Sequence, residues 1–205
     1  LNTSEPKKLV LLGSSTGGPS HIQKILSALP AHYAPAILIA QHMGNAYLSS
    51  FASRLDNDVP MSVVMAGTSQ ILQGSCAYVC TQKSILSRNE KGIELRVLSP
   101  QASHYNPQIN ALFSSACSLS GKVDILAVIL TGIGEDGAQG LLELSQRHAR
   151  TIVESAKSAI VYGMPMRAAE LVNTAEVLSL DEIILAIKDF GAFAAPKAHR
   201  PSHHE

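Results

Sequence analysis

Apolar residues run without a break over positions 9–12 and stop at Gly13; after Pro19 they return at Ile22, Ile25, Leu26 and Leu29, the spacing of one helix face. The pattern predicts a strand, a tight turn and a helix. Residues 36–40, behind Pro35, are again continuously apolar, as in a strand covered on both faces, and give way to Gln41-His42-Met43-Gly44. Asn45 is a candidate cap for a helix over 46–55, whose Leu48, Phe51, Ala52 and Leu55 share one side. Residues 61–66 predict another strand. Between 73 and 99 the pattern shortens to β runs at 77–80 and 93–98, read as an antiparallel excursion. Helix resumes over 107–118, and 123–130 (VDILAVIL) is the most hydrophobic strand, ending at Thr131-Gly132-Ile133-Gly134-Glu135-Asp136-Gly137. A helix carrying Leu141, Leu142 and Leu144 follows. A strand at 151–153, a helix at 166–171 introduced by Tyr162-Gly163-Met164-Pro165, a strand at 177–180 and a helix at 181–190 complete the pattern. Strands separated by helices imply an α/β fold, a mostly parallel sheet with helices on both faces.

The flanks lack this periodicity. Residues 1–7 are polar and include a proline, which reads as a linker remnant; 193–205 hold three of the eight histidines without cysteine or carboxylate partners in metal-ligand spacing, which reads as a disordered tail. Residues 8–192 are expected to form one domain. With 46% hydrophobic residues in a chain of 205, one substantial core is available. Lys+Arg and Asp+Glu are both 16, so no basic surface for nucleic acid and no polybasic membrane patch is expected. The longest apolar runs are too short to span a bilayer, and a cytoplasmic protein is the expectation. Cys76 and Cys80 share a predicted strand, where four residues of rise, roughly 13 Å, exclude a disulfide between them.

Chemistry enters at the strand ends, because ligands of parallel sheets bind beyond the carboxyl ends of the strands. The first turn, Gly13-Ser14-Ser15-Thr16-Gly17-Gly18, fits G-x-S-x-G, which lifts a serine hydroxyl off a strand end. The same turn also suits a phosphate cradle at a helix N-terminus, or a plain glycine connection; its own spacing is not G-x-G-x-x-G, and the chain holds no P-loop pattern G-x-x-x-x-G-K-[ST]. His42 ends the second apolar strand and Asp136 follows VDILAVIL. Serine needs a base to remove its proton, imidazole serves near neutrality, and a carboxylate fixes the imidazole tautomer. Each residue has a plainer role: His42 as a bonded strand-end histidine, Asp136 as a helix cap, Ser14 and Ser15 as turn residues. The chain order Ser, His, Asp differs from that of α/β-hydrolases.

The segments GSSTGGP, IAQHM, LTGIGEDGA and VYGMP, in this order and spacing, resemble the catalytic domain of chemotaxis protein-glutamate methylesterases, the CheB family, over residues 8–190. The resemblance implies a doubly wound α/β fold and a serine hydrolase. Its substrates would be glutamate methyl esters on the cytoplasmic helices of chemoreceptors, cleaved with release of methanol; receptor glutamines would also be deamidated. Carried over by motif, Ser15 is the nucleophile, His42 the base and Asp136 the orienting acid, with Thr16 and the backbone around Ile133 assisting the hydroxyl and the oxyanion. The resemblance implies no metal or organic cofactor, and an N-terminal receiver domain upstream of the linker. Ile133 stands where the family usually has methionine. Residues 78–83 lack its usual Pro-Gly-Gly turn, and 106–110 differ from its usual Pro-Ser-hydrophobic-Asp. These departures, at 79–83 and 106–110, are expected to tune which methylated helix is accepted and to leave the chemical step unchanged. Two other functions fit the same residues: an esterase of this fold acting on another ester, and a non-catalytic phosphate or nucleotide binder.

Overall fold

The structure, a computed structural model, describes residues 5–99 and 103–192. In chain order the elements are β1 (Lys8–Ser14), α1 (Gly18–Ser27), β2 (Ala36–Gln41), α2 (Asn45–Asp58), β3 (Ser62–Ala66), β4 (Gln70–Ile71), β5 (Cys76–Cys80), β6 (Lys83–Asn89), β7 (Gly92–Leu98), α3 (Ile109–Ala116), β8 (Asp124–Ile129), α4 (Ala138–Ser145), β9 (Arg150–Glu154), α5 (Met164–Leu171), β10 (Glu176–Leu178) and α6 (Leu180–Gly191). Seven strands make one sheet in the order β10-β9-β8-β1-β2-β5-β3, and every pairing in it is parallel. A second sheet, β4-β7-β6, is antiparallel.

Successive side chains of a strand point to opposite faces, so the central strands feed two cores. Leu9, Leu11, Leu38, Ala127 and Ile129 pack with α3, α4 and α5 on one face. Val10, Leu12, Ile37, Ile39, Leu126 and Val128 pack with α1, α2 and α6 on the other. The helix that follows β1 therefore leaves to one face and the helix that follows β8 to the opposite one. Because β1 and β8 are neighbours, their carboxyl ends mark the point where the connections diverge, the usual position of the ligand crevice in a doubly wound sheet. At the other end of β1, Lys8 Nζ donates to the Phe190 carbonyl (2.8 Å) and lies 5.3 Å from that residue's ring centre, stapling the end of α6 to the start of the sheet.

Four expectations are corrected. The run at 77–80 is not part of the antiparallel excursion: β5 inserts between β2 and β3 in the parallel sheet, its Tyr78 opposite Leu38 and Val64. The excursion is completed instead by β6, a strand the pattern did not mark, whose buried face includes Ser84, satisfied by donating to Thr81 O (2.7 Å). Asn45 does not cap α2; Gly44 holds that position, and the Asn45 Oδ1 accepts from Asn106 Nδ2 at 2.9 Å. Residues 5–7 are packed on the domain: Pro6 is buried, Glu5 pairs with Arg88, and Lys7 O accepts from Asp124 N, extending the β1–β8 pairing. Residues 1–4 and 193–205, read as linker and tail, lie outside the described residues. No described helix is long and apolar enough to cross a membrane.

Candidate active site

β1 and β2 run parallel with Ser14 opposite Gln41, so the chain delivers Ser15 and His42 from adjacent strand ends, one residue further on. The His42 N–H donates to Ser14 O (2.9 Å). Of the two serines, Ser14 is fully buried and its hydroxyl donates to Gln41 Oε1 (2.5 Å). Ser15 is half-buried, at the edge of the crevice, and its hydroxyl has no hydrogen-bond partner among the described residues. Gly132 of the β8 turn lies against it, close enough that a Cβ there would sit 2.7 Å from the Ser15 Cβ.

His42 and Asp136 meet directly, Nε2 to Oδ2 at 2.8 Å. Asp136 is buried and its carboxylate does more than face the ring: Oδ2 accepts from Ile109 N (2.8 Å) and Oδ1 from Asn110 N (2.9 Å), the first amides of α3. It caps that helix rather than its own, where positive partial charge favours a carboxylate. Asn110 Oδ1 returns the bond, accepting from Gly137 N (3.0 Å) and Gly140 N (2.9 Å) at the start of α4. An ionised carboxylate only accepts, so His42 carries its proton on Nε2 and its basic lone pair lies on Nδ1. Tyr105 stacks on the imidazole, with ring centres 5.0 Å apart and planes 14° from parallel. Residues 106–110, expected to act in recognition, also reach the His42–Asp136 pair. This segment supplies both amides that hold Asp136, and Asn106 O accepts from Met43 N (3.0 Å) beside the histidine.

At the two assisting positions, Thr16 and Ile133, the backbone N–H has no acceptor among the described residues. Both belong to trans peptides, in which N–H and C=O point opposite ways. The carbonyl of the first, Ser15 O, accepts from Gly18 N (2.9 Å) and Gln41 Nε2 (2.9 Å). The carbonyl of the second, Gly132 O, accepts from Gly163 N (3.2 Å) and Met164 N (2.8 Å) at the start of α5. Each carbonyl is held from one side by two donors, so each N–H is directed to the other side without rearrangement. Preorganised donors of this kind stabilise a developing oxyanion. The VYGMP segment thus acts through its backbone. The Thr16 side chain is exposed at the rim, and Ile133 is 62% exposed.

A buried polar network supports this turn from below. Glu154, at the end of β9 and fully buried, accepts from Thr131 N (2.8 Å) and from the Ser158 hydroxyl (2.7 Å), and faces His21 Nδ1 on α1 at 3.1 Å. The Thr131 hydroxyl donates to Thr16 O (2.9 Å) and accepts from Val161 N (2.9 Å). Sequence reasoning missed Glu154, Thr131, Tyr105, Asn110 and Gln41. Gln41 carried a signal, a polar residue closing an otherwise apolar strand.

Gln41 is 2% exposed, and its amide also donates to His42 O (2.9 Å), so one side chain ties together the turns that carry Ser15 and His42. Gly18 is required beside it, since a Cβ there would collide with the Gln41 side-chain oxygen. Gln41→Met keeps the volume and removes both donors. It is expected to lower kcat on a small activated ester about 10²-fold, the scale of losing one oxyanion donor, with KM changed far less; an unchanged kcat would show that the peptide is held without it.

The phosphate-cradle reading finds less support in this turn: Ser15 N–H and Gly18 N–H are spent on Thr131 O and Ser15 O. Among the described residues no group of three His, Cys, Asp or Glu could hold a metal ion. The three cysteines are free, and burial pushes the Cys80 thiol up to about 12, leaving it unreactive.

The model of the CheB methylesterase family matches residues 10–187. A protein-glutamate methylesterase/protein-glutamine glutaminase of Saccharophagus degradans is 36% identical over 177 residues, 86% of this chain and 48% of the relative. One from Dechloromonas aromatica is 38% identical over 191 residues, 92% of this chain and 53% of the relative. The chain thus spans about half the length of the curated relatives it matches. The crystal structure of the Thermotoga maritima CheB methylesterase catalytic domain superposes with a TM-score of 0.80 at 27% identity, covering 89% of this chain and 97% of that one. Sequence match and superposed fold agree: the chain belongs to the CheB methylesterase family.

Proposed function

We propose that this chain hydrolyses glutamate methyl esters on the cytoplasmic helices of chemoreceptors, and deamidates receptor glutamines by the same route. The observation that carries this reading is the His42–Asp136 pair at the strand end next to that of Ser15, with two N–H groups that are unpaired among the described residues and whose peptides are clamped. Ser15 Oγ attacks the ester carbonyl as His42 Nδ1 takes its proton, and Asp136 stabilises the imidazolium. The oxyanion is received by the Thr16 and Ile133 amides. Collapse of the tetrahedral adduct expels the methoxy group, which takes the proton back from Nδ1 and leaves as methanol. Water, deprotonated by His42, then attacks the acyl-serine, releasing the glutamate carboxylate and restoring Ser15. With an amide the leaving group is ammonia. These steps need no metal or organic cofactor.

The relatives' greater length fits a further domain, and we place a receiver domain ahead of residue 5 and the whole protein in the cytoplasm, where the receptor helices lie. A methylated receptor fragment incubated with the chain is expected to release methanol in proportion to the mass it loses. Absence of methanol, together with failure of a reactive-serine probe to label Ser15, would refute the reading.

A further inference from the structure

A polar cavity of about 170 Å³ opens beside the catalytic histidine, lined by Asn45, Gln82, Lys83, Tyr105, Asn106 and Gln108. Tyr105 is shared: it lines the cavity and it stacks on His42. The lining draws together the two segments that depart from the family pattern, 79–83 and 106–110, distant in sequence but joined here by the Gln108 N–H to Gln82 O bond (3.1 Å). Gln82 is held in the left-handed region, φ 48°, which turns the chain between β5 and β6 and brings Lys83 to the wall.

The charge of that lining is one-sided, with one lysine and no acidic residue. Lys83 is half-buried and its ammonium pairs with no carboxylate among the described residues. Asn106 Nδ2 donates to Asn45 Oδ1 (2.9 Å), which fixes that amide so that its NH₂ is left without an acceptor among the described residues. The side-chain amides of Gln82 and Gln108 and the Tyr105 hydroxyl are likewise uncommitted there. One cation and several N–H and O–H donors, with no acidic residue in the lining, make a site for an anion. At about 30 Å³ per water, the volume takes a side-chain carboxylate with a few waters; a nucleotide is too large.

We propose that this cavity is a recognition subsite for a free carboxylate on the substrate, a glutamate or aspartate side chain near the ester that Ser15 attacks. The inference rests on the esterase reading above. The cavity begins one stacked ring from the imidazole, 5.0 Å centre to centre, a step on the scale of one helical turn of about 5.4 Å, so the recognised carboxylate is placed three or four residues from the ester on a helical substrate. A methyl-esterified or amidated neighbour carries no charge and binds less well. Hydrolysis at one position therefore creates the group that draws the enzyme to the next, and adjacent esters are removed in succession.

The test uses helical peptides with one glutamate methyl ester and either glutamate or glutamine at the third and fourth positions from it. The chain is expected to favour the glutamate peptide about tenfold in kcat/KM, the scale of one charge-assisted bond. Lys83→Met should bring the ratio near one, and Lys83→Glu should turn the preference toward a peptide with lysine there. Ratios are used so that any general change in activity cancels. Equal rates on both peptides, or a preference that survives Lys83→Met, would overturn the subsite. Anisotropy of the labelled, ester-free peptides reads the same preference without turnover. Charge-dependent binding that Lys83→Met abolishes, with no methanol from either ester, would keep the subsite and overturn the esterase reading.

Discussion

Ser15→Ala is expected to lower methyl-ester hydrolysis about 10⁶-fold, leaving only what the oxyanion donors and substrate binding supply, whereas Ser14→Ala should leave turnover within about tenfold of the parent. The two serines are adjacent and chemically identical, so the contrast tests position alone. Ser14 ends β1, points into the protein and spends its hydroxyl on Gln41. Its removal leaves Gln41 Oε1 without a donor, a buried loss worth about 1–3 kcal/mol that thermal unfolding would register more than kinetics. Ser15, one residue later, faces the crevice and is left uncommitted by the described residues. Turnover and melting temperature measured on both variants separate the cases. Equal loss of turnover in the two, with both still folded, would sink the assignment of the nucleophile.

Asp136→Asn is expected to cost about 10⁴ in turnover, the scale of a wrong imidazole tautomer, and to lower stability as well. Three N–H groups converge on this carboxylate, from His42, Ile109 and Asn110. An amide has one acceptor oxygen and one donor nitrogen, so in either orientation its NH₂ confronts one of the two backbone donors. If the oxygen stays with Ile109, the nitrogen faces Asn110 N–H; if it turns, the nitrogen faces Ile109 N–H and also His42, where it favours an unprotonated Nε2. The second orientation moves the ring proton to Nδ1 and removes the base. Folding and turnover should therefore fall together, but turnover of the folded fraction should still be lower by orders of magnitude. Near-normal turnover in folded Asp136→Asn would reduce this residue to a cap on α3.

The sheet was legible where burial saturates a strand. β1, β2 and β8 are covered on both faces, and nothing but apolar side chains fits most of their positions. β6 escaped because it is buried on one face only, and one of its buried positions is a serine. The placement of β5 escaped for another reason: alternation marks a strand but says nothing about its neighbour, and β5 enters between strands that precede it in the chain. The site divides in the same way. Ser15, His42 and Asp136 could be picked out because the strands deliver reactive side chains to one edge. The residues that hold them could not, because Gln41, Thr131 and Glu154 act on peptide groups and side chains as far as 133 positions away. Such roles exist only once the chain is closed on itself. Tyr105 had no periodic context, and Asn110 read as one more polar residue in a helical stretch.

The staple between Lys8 and Phe190 has a consequence for how the domain can be joined to others. The first strand starts and the last helix stops at one spot, on the edge of the sheet opposite Ser15, with the length of β1, about 20 Å, between them and the chemistry. A unit whose two ends meet on its far side behaves as a plug: it can follow another fold, precede one or be inserted into a surface loop of one without the connecting chain crossing the crevice. Joining the ends directly and reopening the chain at the exposed turn between β6 and β7 would permute the order of the elements and leave every contact around Ser15 in place.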